Sequence, residues 1–301
     1  MSNAAQLNMN GQTNGTRHKV KKQSQTREIM GRLFQSKTAV AGLIIIALYL
    51  LVAIFADFIT PHSISEMDLS ARNLSPSSVH WFGTDDFGRD IFSRVLYGTR
   101  YSLGLGLGSV GLALIAGIIL GCISGFFGGW IEEVILRICD VMQAIPGILL
   151  AIAISMVLGS GFVNTIIAIG IGRIPLNCRM VRAQFLGQRK LEYVEAAQAT
   201  NCPKTKLMFI HILPNAISPL IVNTTMGVGG MIMMAAGLSF INLGVQPPLP
   251  EWGAMMSAAR DAIRYYPYQL LFPGLAMALL VLSLNLFGDG LRDALDPKLK
   301  D

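Results

Sequence analysis

Glu192-Tyr193-Val194-Glu195-Ala196-Ala197-Gln198-Ala199-Thr200-Asn201-Cys202-Pro203 opens a polar stretch that runs on to Leu213-Pro214. Apolar runs long enough to cross a bilayer lie on both sides of it. From Leu191 to Thr200 good helix formers dominate, with three small residues, Ala196, Ala197 and Ala199, on one short helix. Asn201 suits the left-handed position just past a helix end. Pro203 cannot continue that helix but can open the next one at its first position. Lys204–Leu213 then forms a second helix that stops near Pro214. The stretch reads as helix, sharp turn, helix. Its alanines let a partner's backbone approach, and Glu192 and Glu195 offer charges for specific pairing. A structured polar loop between membrane helices needs a reason, and docking of an energy-supplying partner is one. Packing of the helix on its own bundle is the plainer alternative.

Composition supports the membrane setting. The chain has 301 residues, 52% hydrophobic and only 14% charged, against about a quarter charged in soluble domains. Mean hydropathy is +0.52. The net charge of +6 is not a nucleic-acid-binding face, because the Lys/Arg excess is concentrated at 17–37 and 173–206, as topology signals are. Cys122, Cys139, Cys178 and Cys202 share no Cys-x-x-Cys spacing, and His18, His62, His80 and His211 are scattered, so no disulfide framework or metal site is expected.

Six segments qualify as spans, roughly 38–59, 99–124, 134–158, 162–184, 216–243 and 269–290. Residues 1–37 are polar and basic and read as a flexible cytoplasmic tail. The run after it is too long for a cleavable signal, so it reads as an uncleaved first helix. The tail carries seven Lys/Arg and one acid, whereas loop 60–98 carries three Arg and five acids. The positive-inside rule therefore puts the tail and loop 186–215 in the cytoplasm, loop 60–98 outside and both termini inside. The short loop 125–133, with Glu132 and Glu133, fits this rule less well. The expected organisation is tail 1–37, first helix plus outer loop 38–98, permeation core 99–291 and a short tail 292–301.

Tyr97, Tyr101, Trp130, Trp252, Tyr265, Tyr266 and Tyr268 cluster at expected helix exits. Gly104, Gly108, Gly117, Gly121 and Gly125 are spaced by fours, a face for close helix packing within this chain or against a second subunit. Pro146, Pro175 and Pro273 each remove an amide donor and kink their helices. No phosphate-cradling Gly-x-x-x-x-Gly-Lys-Ser/Thr run occurs, and no soluble stretch exceeds about 40 residues, so the chain does not hydrolyse ATP itself. The spans lack the acidic and basic relay of a proton-driven carrier. Asp57 lies near an exit, Asp140 is expected to pair with Arg137 three residues earlier, and Asp289 and Asp293 flank Arg292.

Glu195-Ala196-Ala197, three residues, Asn201, nine residues, His211, one residue and Leu213-Pro214 resembles the EAA loop of bacterial ABC-importer permeases. That pattern has Gly at position 201 and an aliphatic residue at 211; Asn201 keeps the turn, while His211 bears on how the second helix packs. The run from His80 through Asp85, Asp86, Gly88, Arg89 and Asp90 to Arg94, then Tyr97 to Leu103, resembles the second ("C") permease of dipeptide/oligopeptide importers. Gln246–Met255 and Gly288–Pro297 resemble the same family, which covers about residues 30–298.

The resemblance implies an all-α polytopic membrane protein with the type I ABC-importer permease fold. It implies a second homologous permease, two ABC ATPase subunits that bind ATP and Mg2+, and an extracytoplasmic substrate-binding protein. No cofactor belongs to this chain. ATPase docking falls on Glu192, Tyr193, Glu195, Ala196, Ala197, Asn201, Pro203, Leu213 and Pro214. Thr84 or Asp85 can cap a short helix within 81–97, a segment that covers the outer mouth or meets the binding protein. Asn223, Thr224, Thr225, Met231 and Met234 are candidate pathway lining, although methionines without Cys or His partners read more readily as packing. Peptides are the expected cargo; nickel, metal–chelator complexes, glutathione or another small solute is the alternative. An ion-driven secondary carrier leaves the EAA loop unexplained, and a non-transporting scaffold would need neither outer motif.

Overall fold

The computed structural model describes residues 25–295. Its helices are α1 (Gln25–Gln35), α2 (Lys37–Ile59), α3 (Ile91–Phe127), α4 (Gly129–Gln143), α5 (Gly147–Leu158), α6 (Phe162–Gln188), α7 (Glu192–Ala199), α8 (Lys204–Lys206), α9 (Leu213–Ala216), α10 (Ser218–Phe240), α11 (Trp252–Ala258) and α12 (Tyr268–Leu295). A π-helical segment, Leu207–Ile212, joins α8 to α9. No strand occurs among the described residues, only an isolated bridge between Thr84 and Asp90.

Glycines decide how the long helices meet. A Cβ on Gly104 would strike Phe162, on Gly108 Ile166, on Gly117 Asn177, on Gly121 Val181 and on Gly125 Phe185. These five of the eight glycines of α3 therefore face α6. The numbering rises together on both sides, so α3 and α6 run parallel along a seam of small residues. The expectation of close packing is met inside this chain. Opposed to them runs α2, which is antiparallel to α12: Gly290 abuts Ala39, Gly42 abuts Ser283, and Tyr49 Oη donates to Ala276 O at 2.8 Å. Arg100 of α3 reaches the end of α2, bonding Ala53 O at 2.9 Å and Asp57 at 3.1 Å. α10 is antiparallel to α12 as well, since Gly229 meets Val281 and Gly288 meets Met226. The main core lies where α3, α6, α10 and α12 converge, around Leu105, Ile169, Ile232, Trp252 and Leu280.

Four helices, α2, α3, α10 from Pro219, and α12, are long and apolar enough to cross a membrane. The expected single span 134–158 is instead a bent pair: α4 and α5 meet at 92°, and together they make a fifth candidate. Pro146 stands just ahead of α5, where its missing amide is not needed. α5 has 12 residues, about 18 Å of helix, and follows only the first half of α6, with Gly147 O near Gly172. The second half is met by α4. There Arg182 pairs with Glu132 and Arg179 with Asp140. Asp140 thus takes Arg179, 39 residues away, and not Arg137, which reaches Glu133 at 3.9 Å. α6 is long enough to cross, at 27 residues or about 40 Å, but Arg173, Arg179 and Arg182 make it more polar than the others. Among the described residues the span count by length and apolarity is thus four or five, against the six expected.

Two boundaries move. α3 begins at Ile91, so the motif residues Ser93 and Arg94 are helical and the connector after α2 ends at Asp90. Part of the tail expected to be flexible is helical: α1 lays Ile29 and Leu33 against Phe287, Leu291 and Ala294 of α12. The rest of the tail, with His18, and Lys298 and Lys300 near the other end, fall outside the described residues.

Candidate functional site

α6 ends at Gln188, with Arg189 at its C-cap, and the chain turns directly into α7. Leu191 N–H bonds Gln188 O at 3.1 Å. The end of α7 is a six-residue Schellman turn. Cys202 N–H reaches Ala197 O at 3.2 Å and Asn201 N–H reaches Gln198 O at 3.0 Å, with Asn201 at φ 57°. The side chain at 201 thus sits in the left-handed conformation expected for it. Pro203 precedes the first turn of α8 rather than occupying it. The second helix does not stop at Pro214; it loosens into π geometry over Leu207–Ile212, and Pro214 opens α9, which reaches Ala216.

One face of this segment is an anchor. Val194, Leu207, Met208, Ile212 and Ala216 are buried with Val181 and Phe185 of α6, Leu220 of α10 and Cys122 of α3. Tyr193 Oη donates to Gln188 Oε1 at 2.8 Å and accepts from Asn215 at 3.4 Å, tying α6, α7 and α9 together. Ala197 and Leu213 pack against the same cluster from its edge. The other face is open: Glu192, Glu195, Ala196, Asn201, Pro203 and Pro214 are exposed. Among the described residues, neither glutamate makes an ion pair. The sequence reading missed Phe209 and Ile210, which are 47% and 60% exposed beside them. Their neighbours Met208 and Ile212 are buried, so the signal was a helix with apolar residues on two faces.

At the opposite end of the bundle, the connector 60–90 is closed on itself. Asp85 accepts from Phe87 N–H (2.9 Å), Arg89 N–H (3.0 Å) and Arg89 Nε (2.7 Å). Gly88 sits at φ 75°, where a Cβ would lie 1.7 Å from Asp68 O. Asp90, not Thr84 or Asp85, caps a helix: its Oδ2 accepts from Ser93 N–H at 2.7 Å and starts α3. Thr84 instead accepts from Leu74 N–H at 2.8 Å. Gln269 of α12 bonds Asn73 Oδ1 at 2.7 Å and Thr84 O at 3.0 Å, and Phe82 stacks on Phe272 at 3.8 Å. Asp68, at a short turn, is held below the usual carboxylate range by hydrogen bonds from Ser70. A cavity of about 230 Å3 opens beside Asp85, Asp86, Arg89, Arg94, Leu249 and Gln269. The guanidinium of Arg94 is buried and bonds Ile64 O at 2.7 Å, while its Nε has no hydrogen-bond partner. Nearby, Glu251 caps α11 through Gly253 and Ala254 N–H groups at 2.9 and 2.8 Å, and burial pushes its carboxyl above the usual range.

The candidate lining residues on α10 divide. Met231 is 5% exposed in the main core, packed and not available to a pathway, and Met234 packs at the edge of that core. Thr225 Oγ1 is turned onto its own helix, bonding Ile221 O at 2.9 Å, and Thr224 is half-buried. Asn223 borders a cavity of about 500 Å3 with Met180, Val222, Met226 and Arg292. Its Oδ1 accepts from Arg173 of α6 at 2.9 Å. Arg173 is half-buried beside Gly227 and has no acidic partner among the described residues. A cation inside a helical bundle, bonded among the described residues to the side-chain and backbone oxygens of Asn223 and to no carboxylate, is costly and marks a polar interior.

The family described as binding-protein-dependent transport system inner membrane component matches residues 117–301. The N-terminal transmembrane domain of oligopeptide transport permease C matches residues 24–76. The chain is 49% identical over 274 residues to the dipeptide transport system permease protein DppC of Alkalihalophilus pseudofirmus, covering 91% of this chain and 90% of that one. It is 45% identical over 275 residues to the glutathione transport system permease protein GsiD of Pectobacterium atrosepticum, covering 91% of each. It is 43% identical to the probable D,D-dipeptide transport system permease protein DdpC of Escherichia coli, over 93% of this chain and 95% of that one.

Proposed function

The chain belongs to the family of binding-protein-dependent transport system inner membrane components, and from that premise we propose that it is one permease half of an ATP-driven importer of small peptides. It is a membrane permease component rather than a catalytic subunit. The cargo class rests on relatives named for dipeptides and for glutathione, itself a short peptide. A second, homologous permease supplies the other half of the pathway. Two ABC ATPases, which carry ATP and Mg2+, sit on the cytoplasmic side, and a binding protein delivers peptide to the 60–90 side. Both termini are cytoplasmic in this reading.

The observation that carries it is the two-faced segment 192–216. Exposed Glu192, Glu195, Ala196, Phe209 and Ile210 give an ATPase a charged and apolar contact. Buried Val194 and Ile212 fix that contact to Phe185 and Val181. A pull on α7 therefore moves α6, and the glycine seam obliges α3 to follow. Closure of the ATPase pair biases the bundle between inward- and outward-open packings, a two-state rearrangement of rigid elements. Arg173 and Asn223 supply polar contacts along the route, suited to a peptide's carboxylate and amides.

Uptake by the assembled transporter tests the docking role. Glu195→Lys is expected to abolish ATP-coupled peptide uptake while the protein still inserts. Wild-type uptake in that variant would remove the docking role from this segment.

A further inference from the structure

His62 and His80 are 18 residues apart in sequence, yet their rings lie 4.8 Å apart, centroid to centroid. Asp90 completes the group: His80 Nδ1 lies 2.9 Å from its Oδ1. One ligand atom from each of the three residues falls within 4.8 Å of the other two. From this geometry we propose that His62, His80 and Asp90 bind a divalent transition-metal cation of the zinc or nickel type, at the end of the bundle opposite α7.

Two imidazoles and one carboxylate suit such borderline cations and not calcium or magnesium, which take oxygen ligands. Ligand atoms around a tetrahedral ion, each about 2.0–2.1 Å from it, stand roughly 3.3 Å apart. The His80–Asp90 pair, at 2.9 Å, stands a little closer than that, and a small shift of half-exposed His62 closes the third side. The surroundings orient the ligands as metal sites require. His62 Nε2 lies 3.1 Å from Val79 O, which can only accept, so Nε2 carries the proton and Nδ1 keeps its lone pair. Asp90 Oδ2 is fixed by Ser93 N–H at 2.7 Å, and Ser93 Oγ accepts from His62 N–H at 3.2 Å. His80 N–H is held by Ser77 Oγ at 3.1 Å. In the metal-free form the His80 proton bridges to Asp90; the cation replaces that proton. Three protein ligands leave a coordination position for water, so the ion can exchange with the medium. It would link the exit of α2 to the start of α3.

The test is equilibrium dialysis of the purified full transporter, free of affinity-tag histidines, against Zn2+ and separately Ni2+, with bound metal counted. The wild-type complex is expected to hold one more ion per chain than a His62→Gln, His80→Gln double variant. Each single variant should weaken binding by at least about tenfold. His211→Gln, at the other end of the bundle, should leave binding unchanged. His62 is half-exposed, so His62→Gln keeps the test valid even if His80→Gln disturbs the connector. Absence of bound metal in the wild type, or equal affinity in wild type and His62→Gln, would overturn the proposal.

Discussion

The connector 60–90 and the segment 192–216 are both polar links between long helices, and they use their polar groups in opposite ways. In the connector, Asp85, Arg89, His80 and Asp90 bond one another, Arg94 at the start of α3 bonds Ile64 O, and Gln269 and Phe272 hold the whole to α12. In the segment, Glu192 and Glu195 face solvent without ion pairs among the described residues, and Phe209 and Ile210 stand exposed above a buried base. Self-satisfied polar groups make a rigid cover. Exposed ones over a buried anchor suit the docking socket proposed above. The first should therefore be sensitive in stability and the second in coupling.

The widest separation comes from charge reversal. If an ATPase docks on this segment as proposed, a like charge set against its surface costs several kcal/mol, so Glu195→Lys should cut uptake by more than about tenfold. The melting temperature of the isolated permease should change little, since Glu195 is exposed and makes no ion pair among the described residues. A large fall in melting temperature would erase the distinction between socket and cover.

Asp85→Ala sharpens the other side. It leaves Arg89, 4% exposed, and the buried Arg94 without their carboxylate. Stranding buried cations costs about 3–5 kcal/mol, so a lowered melting temperature is the expected readout, before any transport assay. An unchanged melting curve would mean that the connector is not held by its own charges.

Asn201 makes a smaller test of the turn. At φ 57° a β-branched residue meets its own carbonyl, and Asn201→Val should cost about 1–2 kcal/mol, seen as faster hydrogen exchange across α7. Asn201→Gly should leave exchange as it was. Equal exchange in all three would show that the left-handed turn does not hold the socket in place.

The smallest effect expected is at Glu251. Its pKa is raised by burial, so the folded state binds its proton more tightly than the unfolded chain does. That contribution is complete below the ordinary glutamate pKa and is lost as pH rises through the raised value. Wild-type stability should decline across that window relative to Glu251→Gln, in parallel thermal melts; parallel curves would show that the carboxyl stays charged on folding.

Local chemistry was legible in the sequence where one residue decides one conformation. Asn201 marked the turn because few residues accept φ near 60°, and the fourfold glycine spacing on α3 marked a packed face. The partner of that face was not legible, because α6 meets it across a separation of about 60 residues. The same limit hid the Arg179–Asp140 and Arg182–Glu132 pairs, and nearest-neighbour reasoning gave Asp140 to Arg137 instead. Charge on α4 read as an anomaly in topology, when it is the surface that accepts the arginines of α6. Hydropathy alone joined α4 to α5, since it records apolarity and not direction, although Pro146 marked the place of the bend. Met231, a candidate lining residue that composition read more readily as packing, lies in the main core. The His62–His80–Asp90 group shows the same blindness to distance, with ligands drawn from two loops and a helix cap.

The socket is tested most directly by solvent access at Ala196, on the exposed face of α7. In a Cys202→Ser background, Ala196→Cys can be labelled with a water-soluble thiol reagent, with and without the ATPase subunits. Strong protection in the assembled transporter is expected, with a cysteine placed at exposed Val79 in the connector labelled equally in both. Equal labelling of position 196 with and without the ATPases, in a complex that still imports peptide, would contradict docking on this segment.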